Sequence, residues 1–345
     1  MTTPRSQVRR DIGRTGISVS QLGVGGTAFG NIFRRVDISD VNEAVDAAFD
    51  AGLNYFDTAP VYGYGVSETR LGEVLAPRPR DSYVISSKVG WRLDVLPEAP
   101  ATPGLFVDVP PRKQVMDFSR ETTLRSLDET LTRLQTDRLD IVFVHDPDEG
   151  ASINPDDIPG APSHVKEVMA ETYPALDELR GQGVIGAIGV GMCQHEMLTE
   201  FAGLGDFDCF LLAGRYTLLE QAGLQPFLAQ CAEQHISVIS GSPFNSGILA
   251  TGATTDATYN YFPASPEVLH RVAQIEKVGE RHGVALPAAA LQFALGHPAV
   301  VSVIPGARSK AEMQQNLEQF DADISADYWA ELKELNLIDP GAPTP

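Results

Sequence analysis

Residues 52–75 read GLNYFDTAPVYGYGVSETRLGEVL and hold one complete unit of a repeating architecture. Gly52 closes a helical pattern, Asn54–Phe56 is a short apolar run of strand character, and Asp57 stands at its end. A loop rich in Gly and Tyr follows, and a new helical pattern starts at Ser67. Working outward, the same succession recurs eight times. The predicted strands are Leu22–Gly25, Asn54–Phe56, Tyr83–Ser87, Leu139–Val144, Val184–Val190, Cys209–Leu212, Ser237–Ser240 and Val300–Ile304. Most are apolar at successive positions, as strands covered on both faces must be. Helix starts are predicted at Asp40 with Glu43 as a capping box, at Ser67, Ser119 and Ser265-Pro266, and at Ser309 with Glu312. Gly52, Gly183 and Gly283 mark helix ends. Strands alternating with helices call for parallel βα units, and eight of them in one chain fit a single (β/α)8 TIM barrel. Ahead of them VRRDIG and ISVSQLG flank Arg14-Thr15-Gly16, a β-hairpin that would plug one end. The expected organisation is one domain over 1–345: hairpin at about 8–22, barrel at about 22–320, C-terminal helix and tail at about 325–345. Two connections are long, Arg92 to Phe118 and Asp146 to about Ser163, after strands 3 and 4. Loops of that length are functional lids or disordered.

The 345 residues are 43% hydrophobic and 21% charged, enough apolar material for a sizeable core. Forty-six acidic against 26 basic residues leave a formal charge of −20, which repels phosphate backbones and anionic membranes. No nucleic-acid or membrane partner is expected. No apolar run approaches a membrane span, and MTTPRSQVRRDIGR lacks the apolar core of a leader. Cys193, Cys209 and Cys231 show no CxxC spacing and are expected to be reduced thiols, in keeping with a cytoplasmic location.

Gly23 to Ala28 matches G-x-G-x-x-[GA], yet the chain runs on through FGNIFRRVD before helical periodicity starts near Asp40. A dinucleotide turn needs the helix to begin at the motif, so the glycines are read as a strand end. The strand ends carry more. Asp57 ends NYFD, Lys88 ends YVISSK, His145 ends LDIVFVH, and Tyr62 lies five residues past Asp57. In a barrel these project onto the C-terminal face, where such folds place active sites. Each has a plain alternative: a cap, a rim charge, a core imidazole, a packing ring. Together they suit proton transfer to or from an alcohol oxygen. A phenol of pKa about 10 needs a neighbouring ammonium to act as base, and a carboxylate keeps that ammonium charged. Lys88 and Asp57 are expected to do this for Tyr62, while His145 orients the substrate oxygen. A metal hydrolase reading with His145, Asp146 and Asp148 as ligands lacks a further histidine at a strand end, and no metal is expected.

Two further segments suit an extended anionic ligand. Ser242-Pro-Phe-Asn-Ser-Gly247 follows the seventh strand with small and polar residues, and Gly306-Ala-Arg308 runs into a helix capped by Ser309. The motifs GLNYFDTAPVYGYGVSETRLGEVL, VISSKVG, LDIVFVHDPD, GAIGVGM, SPFNSGIL and VIPGARS resemble the aldo-keto reductase superfamily over essentially the whole chain. The resemblance implies a TIM barrel with Asp57, Tyr62, Lys88 and His145 as a catalytic tetrad. It implies NAD or NADP, with a lean to NAD, bound across the barrel mouth. The implied cofactor contacts are Gly25, Gly26, Thr27, Asp57, Gly191, Tyr216, Ser242, Pro243, Phe244, Asn245 and Gly247, then Pro305, Gly306, Ala307, Arg308, Gln314, Gln315 and Asn316 at the adenosine end. Where many members place Ser-Asn, Gln and a stacking aromatic on the nicotinamide, this chain has Gly191-Met192, Ala213 and Gly241. Tyr216 is the expected replacement ring. GYGVSETRLG, HDPD and CFLLAGRYTLLEQ look most like members that oxidise the anomeric hydroxyl of aldoses of the L-fucose, D-arabinose or L-galactose type, with a pyridoxal dehydrogenase as relative. Tyr64, Trp91 and Asp146 are then expected at the sugar. An aldehyde or ketone reductase using NADPH and a cofactor-sensing interaction subunit are the alternatives.

Overall fold

The chain enters through a hairpin, β1 (Arg9–Asp11) with β2 (Ser18–Ser20), and proceeds through β3 (Val24–Gly25), α1 (Ile38–Asp50), β4 (Tyr55–Asp57), α2 (Val66–Leu75) and β5 (Val84–Val89). A second hairpin, β6 (Trp91–Val95) with β7 (Arg112–Met116), precedes α3 (Arg120–Leu134) and β8 (Leu139–His145). Next come α4 (Val165–Glu167), α5 (Tyr173–Gly181), β9 (Ile185–Met192), α6 (His195–Ala202), β10 (Cys209–Ala213), α7 (Phe227–Gln234) and β11 (Ser237–Gly241). The remainder holds α8 (Ile248–Thr251), a small hairpin β12 (Thr258–Tyr259) with β13 (Phe262–Pro263), α9 (Pro266–His282), α10 (Leu286–Phe293), β14 (Val300–Ile304), α11 (Lys310–Phe320) and α12 (Ala326–Glu334). This computed structural model describes residues 4–98, 104–151 and 162–345.

Eight strands form one parallel sheet in the order β3-β4-β5-β8-β9-β10-β11-β14. Gly23 N–H donates to Val303 O and Val303 N–H to Gln21 O, each at 2.9 Å, and parallel bridges join Leu22 to Val303 and Gly25 to Gly306. The sheet thus meets itself as a (β/α)8 barrel. Alternation along each strand divides the apolar residues in two. Tyr55, Ile141, Phe143 and Ile239 fill the lumen, whose floor is plugged by Ile12 and Val19 from the first hairpin. Phe56, Val142, Val144 and Val238 face outward and pack under the helices. Among the described residues, no helix is long and apolar enough to cross a membrane.

Three expected caps are present: the Ser119, Ser265 and Ser309 hydroxyls accept from the N–H groups of Thr122, Val268 and Glu312. Two helix starts differ. α1 begins at Ile38 with Asp37 in the cap position, ahead of Asp40 and Glu43. α2 begins at Val66, after Gly65 at φ 94°, because the Ser67 hydroxyl is buried and donates to Gly26 O at 2.7 Å, beside Thr58 Oγ1 at 2.8 Å. It ties two barrel loops together instead of capping. The connection from Arg92 to Phe118, expected to be loop, contains most of the β6–β7 hairpin. The alternating residues of WRLDV and RKQVM pair across the prolines between them, with Trp91 opposite Met116. Residues 99–103 of that connection and 152–161 of the next lie outside the described residues.

Candidate active site

Sheet order makes neighbours of β4, β5 and β8, so their C-terminal ends bring Asp57, Lys88 and His145 side by side. Lys88 Nζ donates to Asp57 Oδ2 and to Thr58 O, both at 2.7 Å, and its side chain is only 1% exposed. Asp57 Oδ1 accepts from Ser86 Oγ at 2.7 Å, which fixes the carboxylate. Lys88 Nζ lies 4.8 Å from the centre of the Tyr62 ring, and the Tyr62 and His145 rings meet edge to face with centroids 5.9 Å apart. The structure therefore gathers all four. Tyr62 is held by a close backbone crossing. A Cβ on Gly63, at φ +67°, would stand 2.3 Å from Gly30 O, and one on Gly30 would stand 2.6 Å from the Tyr62 carbonyl carbon. Only glycines let these loops touch there.

Burial sets the protonation states. The Tyr62 phenol lies above its usual range because desolvation, with Asp57 adding to it, outweighs the Lys88 charge that pulls it down. This corrects the expectation that the ammonium prevails: at neutral pH Tyr62 keeps its proton. For Lys88 burial works the other way, yet the charge and hydrogen bond of Asp57, with a hydrogen bond to the Tyr62 hydroxyl, more than offset it, and the ammonium persists. Burial and then Lys88 press His145 well below the usual imidazole range, so it is neutral. Its Nδ1 is buried without a partner, while Nε2 faces Asp146 Oδ2 at 3.6 Å. Among the described residues, no three His, Cys, Asp or Glu side chains converge to hold a metal ion.

Two cavities meet at Tyr62. The smaller, about 270 Å³, lies over Tyr62 and His145 and is walled by Trp91, Asp146, Cys193, Arg215, Asn260 and Tyr261. The larger, about 750 Å³, runs from Thr27, Asp57 and Tyr62 past Gly241 to Phe244 and ends at Gly306, Arg308, Glu312 and Gln315. A nicotinamide dinucleotide fits this groove. Gly25 and Gly306 line it, Gly25 pressed so closely on the next strand that a Cβ would meet Ile304 O at 2.8 Å, and Arg308 Nε is buried at the far end without a partner. Gly25, Thr27, Asp57, Ser242, Pro243, Phe244, Gly247, Gly306, Arg308, Gln315 and Asn316 line the groove; Gly191 and Asn245 line the smaller cavity. Gly26, Pro305 and Ala307 lie behind the wall: Pro305 O accepts from Gly25 N–H, and Ala307 is buried in the core.

Three expected residues lie elsewhere. Tyr216 is 2% exposed and packs on Phe293 and His297, lining neither cavity. The strand β10 ends at Ala213, and Gly214 at φ +70° turns the chain away before residue 216. Gln314 is exposed on the outer side of α11. Tyr64 also lines neither cavity, and its carbonyl accepts from Arg112 Nη1 at 2.9 Å. Tyr261 is the aromatic ring that the sequence reading missed. It lines both cavities from the turn between β12 and β13, at φ 68°, and touches Phe33 across the groove with ring centroids 6.3 Å apart. Its signal was the aromatic cluster TYNYFP around a turn asparagine. Arg215 and Asn260 were missed as well; Arg215 Nη1 donates to Asn260 Oδ1 at 3.2 Å.

Residues 21–337 match the model of the Aldo/keto reductase family. The chain is 38% identical over 336 residues to D-threo-aldose 1-dehydrogenase of a Pseudomonas species, covering 96% of this chain and 97% of that protein. It is 33% identical to pyridoxal 4-dehydrogenase of Microbacterium luteolum, covering 97% and 99%. In shape it is similar to the aldo-keto reductase AKR11C1 of Bacillus halodurans in its holo form, with a TM-score of 0.72, 22% identity and coverage of 95% and 96%. Taken with the strand-end cluster and the groove beside it, these likenesses mean that the chain belongs to the aldo/keto reductase family and is an NAD(P)-dependent oxidoreductase.

Proposed function

We propose that the protein oxidises the anomeric hydroxyl of an aldose of the L-fucose, D-arabinose or L-galactose type to the lactone. The observation that carries this reading is the ring-sized cavity over Tyr62 and His145, a largely apolar chamber into which Asp146, Arg215, Asn260 and Gln114 bring polar groups. Those four polar groups suit the hydroxyls of a polyol, for which a plain aldehyde offers no partners, and the apolar wall suits the carbon face of a sugar ring. A nicotinamide bound in the groove supplies the hydride acceptor. The chain's own residues do the rest: Tyr62 takes the hydroxyl proton, the Lys88 ammonium that Asp57 keeps charged favours the phenolate, and neutral His145 donates to the reacting oxygen. The likeness to D-threo-aldose 1-dehydrogenase supports the substrate class. Initial rates with NAD and NADP across L-fucose, D-arabinose, L-galactose, D-glucose and pyridoxal test it. One of the first three sugars is expected to lead; pyridoxal alone would replace the aldose reading.

We read the adenosine end as leaning to NAD. Glu312 Oε2 accepts from Arg308 N–H at 2.8 Å and Oε1 pairs with Arg34 Nη2 at 3.1 Å, so a carboxylate stands at the rim of the groove. It can accept from a ribose hydroxyl and repels a 2′-phosphate. Glu312→Ala is expected to tighten NADP relative to NAD by roughly 5- to 30-fold, read from the two Kd values at low salt. An unchanged ratio would remove Glu312 from cofactor choice.

A further inference from the structure

Asp146 follows the last residue of β8 and takes φ 45°, in the left-handed region where side chains other than glycine are uncommon. Such conformations cluster at functional sites, where the surroundings over-determine them. Here the Asp146 N–H donates to Gly191 O at 3.0 Å, on neighbouring β9, and the turn delivers the carboxyl into the smaller cavity with Oδ2 3.6 Å from His145 Nε2.

We propose that Asp146 selects substrates bearing a hydroxyl on the carbon next to the reacting one, and does so by hydrogen-bonding that hydroxyl through its carboxyl. The inference rests on the proposed seat of the reacting oxygen between Tyr62 and His145. An oxygen bonded to Nε2 lies about 2.8–3.0 Å from it, and the gauche oxygen of a vicinal diol lies roughly one hydrogen-bond length further on. A carboxyl oxygen 3.6 Å from Nε2 is placed to reach that second oxygen. In an aldose reacting at its anomeric carbon, the second oxygen is the 2-hydroxyl. A substrate without it leaves the carboxyl desolvated and unpaired, the circumstance in which a polar site discriminates most.

The contact carries its own pH signature. Burial raises the Asp146 carboxyl to about 7; Asp148 adds to the rise and Lys88 opposes it. Four groups around it do not change charge over the same range. His145 titrates well below it, and the Tyr62, Tyr261 and Cys193 protons are held above it. Arg215 and Glu149 line the same cavity. A raised carboxyl pKa means that the acid is neutral below about 7 and anionic above, where it accepts the hydroxyl proton in a stronger, charge-assisted bond. Preference for the vicinal hydroxyl therefore grows as pH rises through 7.

The test compares kcat/KM for L-fucose and 2-deoxy-L-fucose with NAD at pH 6 and pH 8.5, in wild type, Asp146→Asn and Asp146→Ala, with NADH fluorescence titration reporting an intact groove. The ratio of the two sugars cancels the pH dependence of Tyr62. Wild type is expected to favour the parent sugar roughly 10- to 100-fold, more at the higher pH. Asp146→Asn should show a smaller ratio, flat in pH, and Asp146→Ala a ratio within about threefold of one. Equal rates on both sugars in wild type overturn the proposal, as does a preference surviving in Asp146→Ala. If that variant no longer binds NADH, Asp146→Asn decides: a reduced, flat ratio supports the contact and an unchanged one refutes it. If wild type oxidises no aldose, the aldose reading fails by itself. The contact is then read in the reducing direction from lactaldehyde against propionaldehyde with NADH, and the same ratios decide.

Discussion

Tyr62→Phe is expected to lower kcat roughly 10²- to 10⁴-fold in both directions while the Kd for NAD or NADH stays within about threefold. The ring keeps its edge-to-face contact with His145 and its place above Lys88; only the hydroxyl is lost. A purely architectural tyrosine would tolerate the change, and turnover retained within tenfold would sink the role of Tyr62. Wild type adds a pH test. Because burial holds the phenol above its ordinary range, the base form is a small fraction at neutral pH and grows about tenfold per pH unit below that pKa. Oxidation should therefore accelerate with rising pH through the neutral range. Reduction, which uses Tyr62 as the acid, should be flat there and fall only on the alkaline side. Profiles with the opposite slopes would assign the proton to another group.

The second large effect is on stability. Glu68→Ala is expected to cost about 3–5 kcal/mol, because it removes one side of a buried ion pair. Glu68 is fully buried on α2; its Oε1 accepts from Ser87 Oγ at 2.6 Å and Thr130 Oγ1 at 2.9 Å, and its Oε2 accepts from Arg133 Nε at 2.6 Å. One carboxylate thus joins α2, β5 and α3, beside the strand end that presents Lys88. Its loss leaves the Arg133 guanidinium, 11% exposed, without its main partner. In a chain of 345 residues the loss is a Tm decrease of roughly 4–7 °C by calorimetry. The double variant with Arg133→Ala should be less destabilised than the sum of the two single changes by about 1–3 kcal/mol. Strict additivity, or a loss below about 1 kcal/mol, would show that the network is solvated and weak.

How much of this was legible depends on the kind of signal. Apolar runs ending in one charged or imidazole side chain named Asp57, Lys88 and His145, because a strand buried on both faces has no other place for such groups than its end. Ser119, Ser265 and Ser309 were legible as caps because capping is a local event within three residues. Ser67 has the same local pattern, but a carbonyl 41 residues earlier, that of Gly26, claims its hydroxyl. Tyr216 failed for a related reason: the rotation of the chain at Gly214 sends it behind the wall of the barrel. Tyr261, Asn260 and Arg215 sit on turns, where no periodicity says which way a side chain faces, and so the ring and the polar groups of the cavity went unread.

By itself, then, the sequence determined the succession of eight strand and helix units, the chemistry carried at their ends and the family they belong to, since these rest on periodicity and on neighbours along the chain. Tertiary structure decided the remainder. It chose Tyr261 over Tyr216 for the mouth, closed β3 against β14, and made burial rather than the Lys88 charge govern the Tyr62 proton. Those outcomes depend on which distant segments exclude water from one another, and desolvation is a property of the assembled barrel that no local stretch of the chain contains.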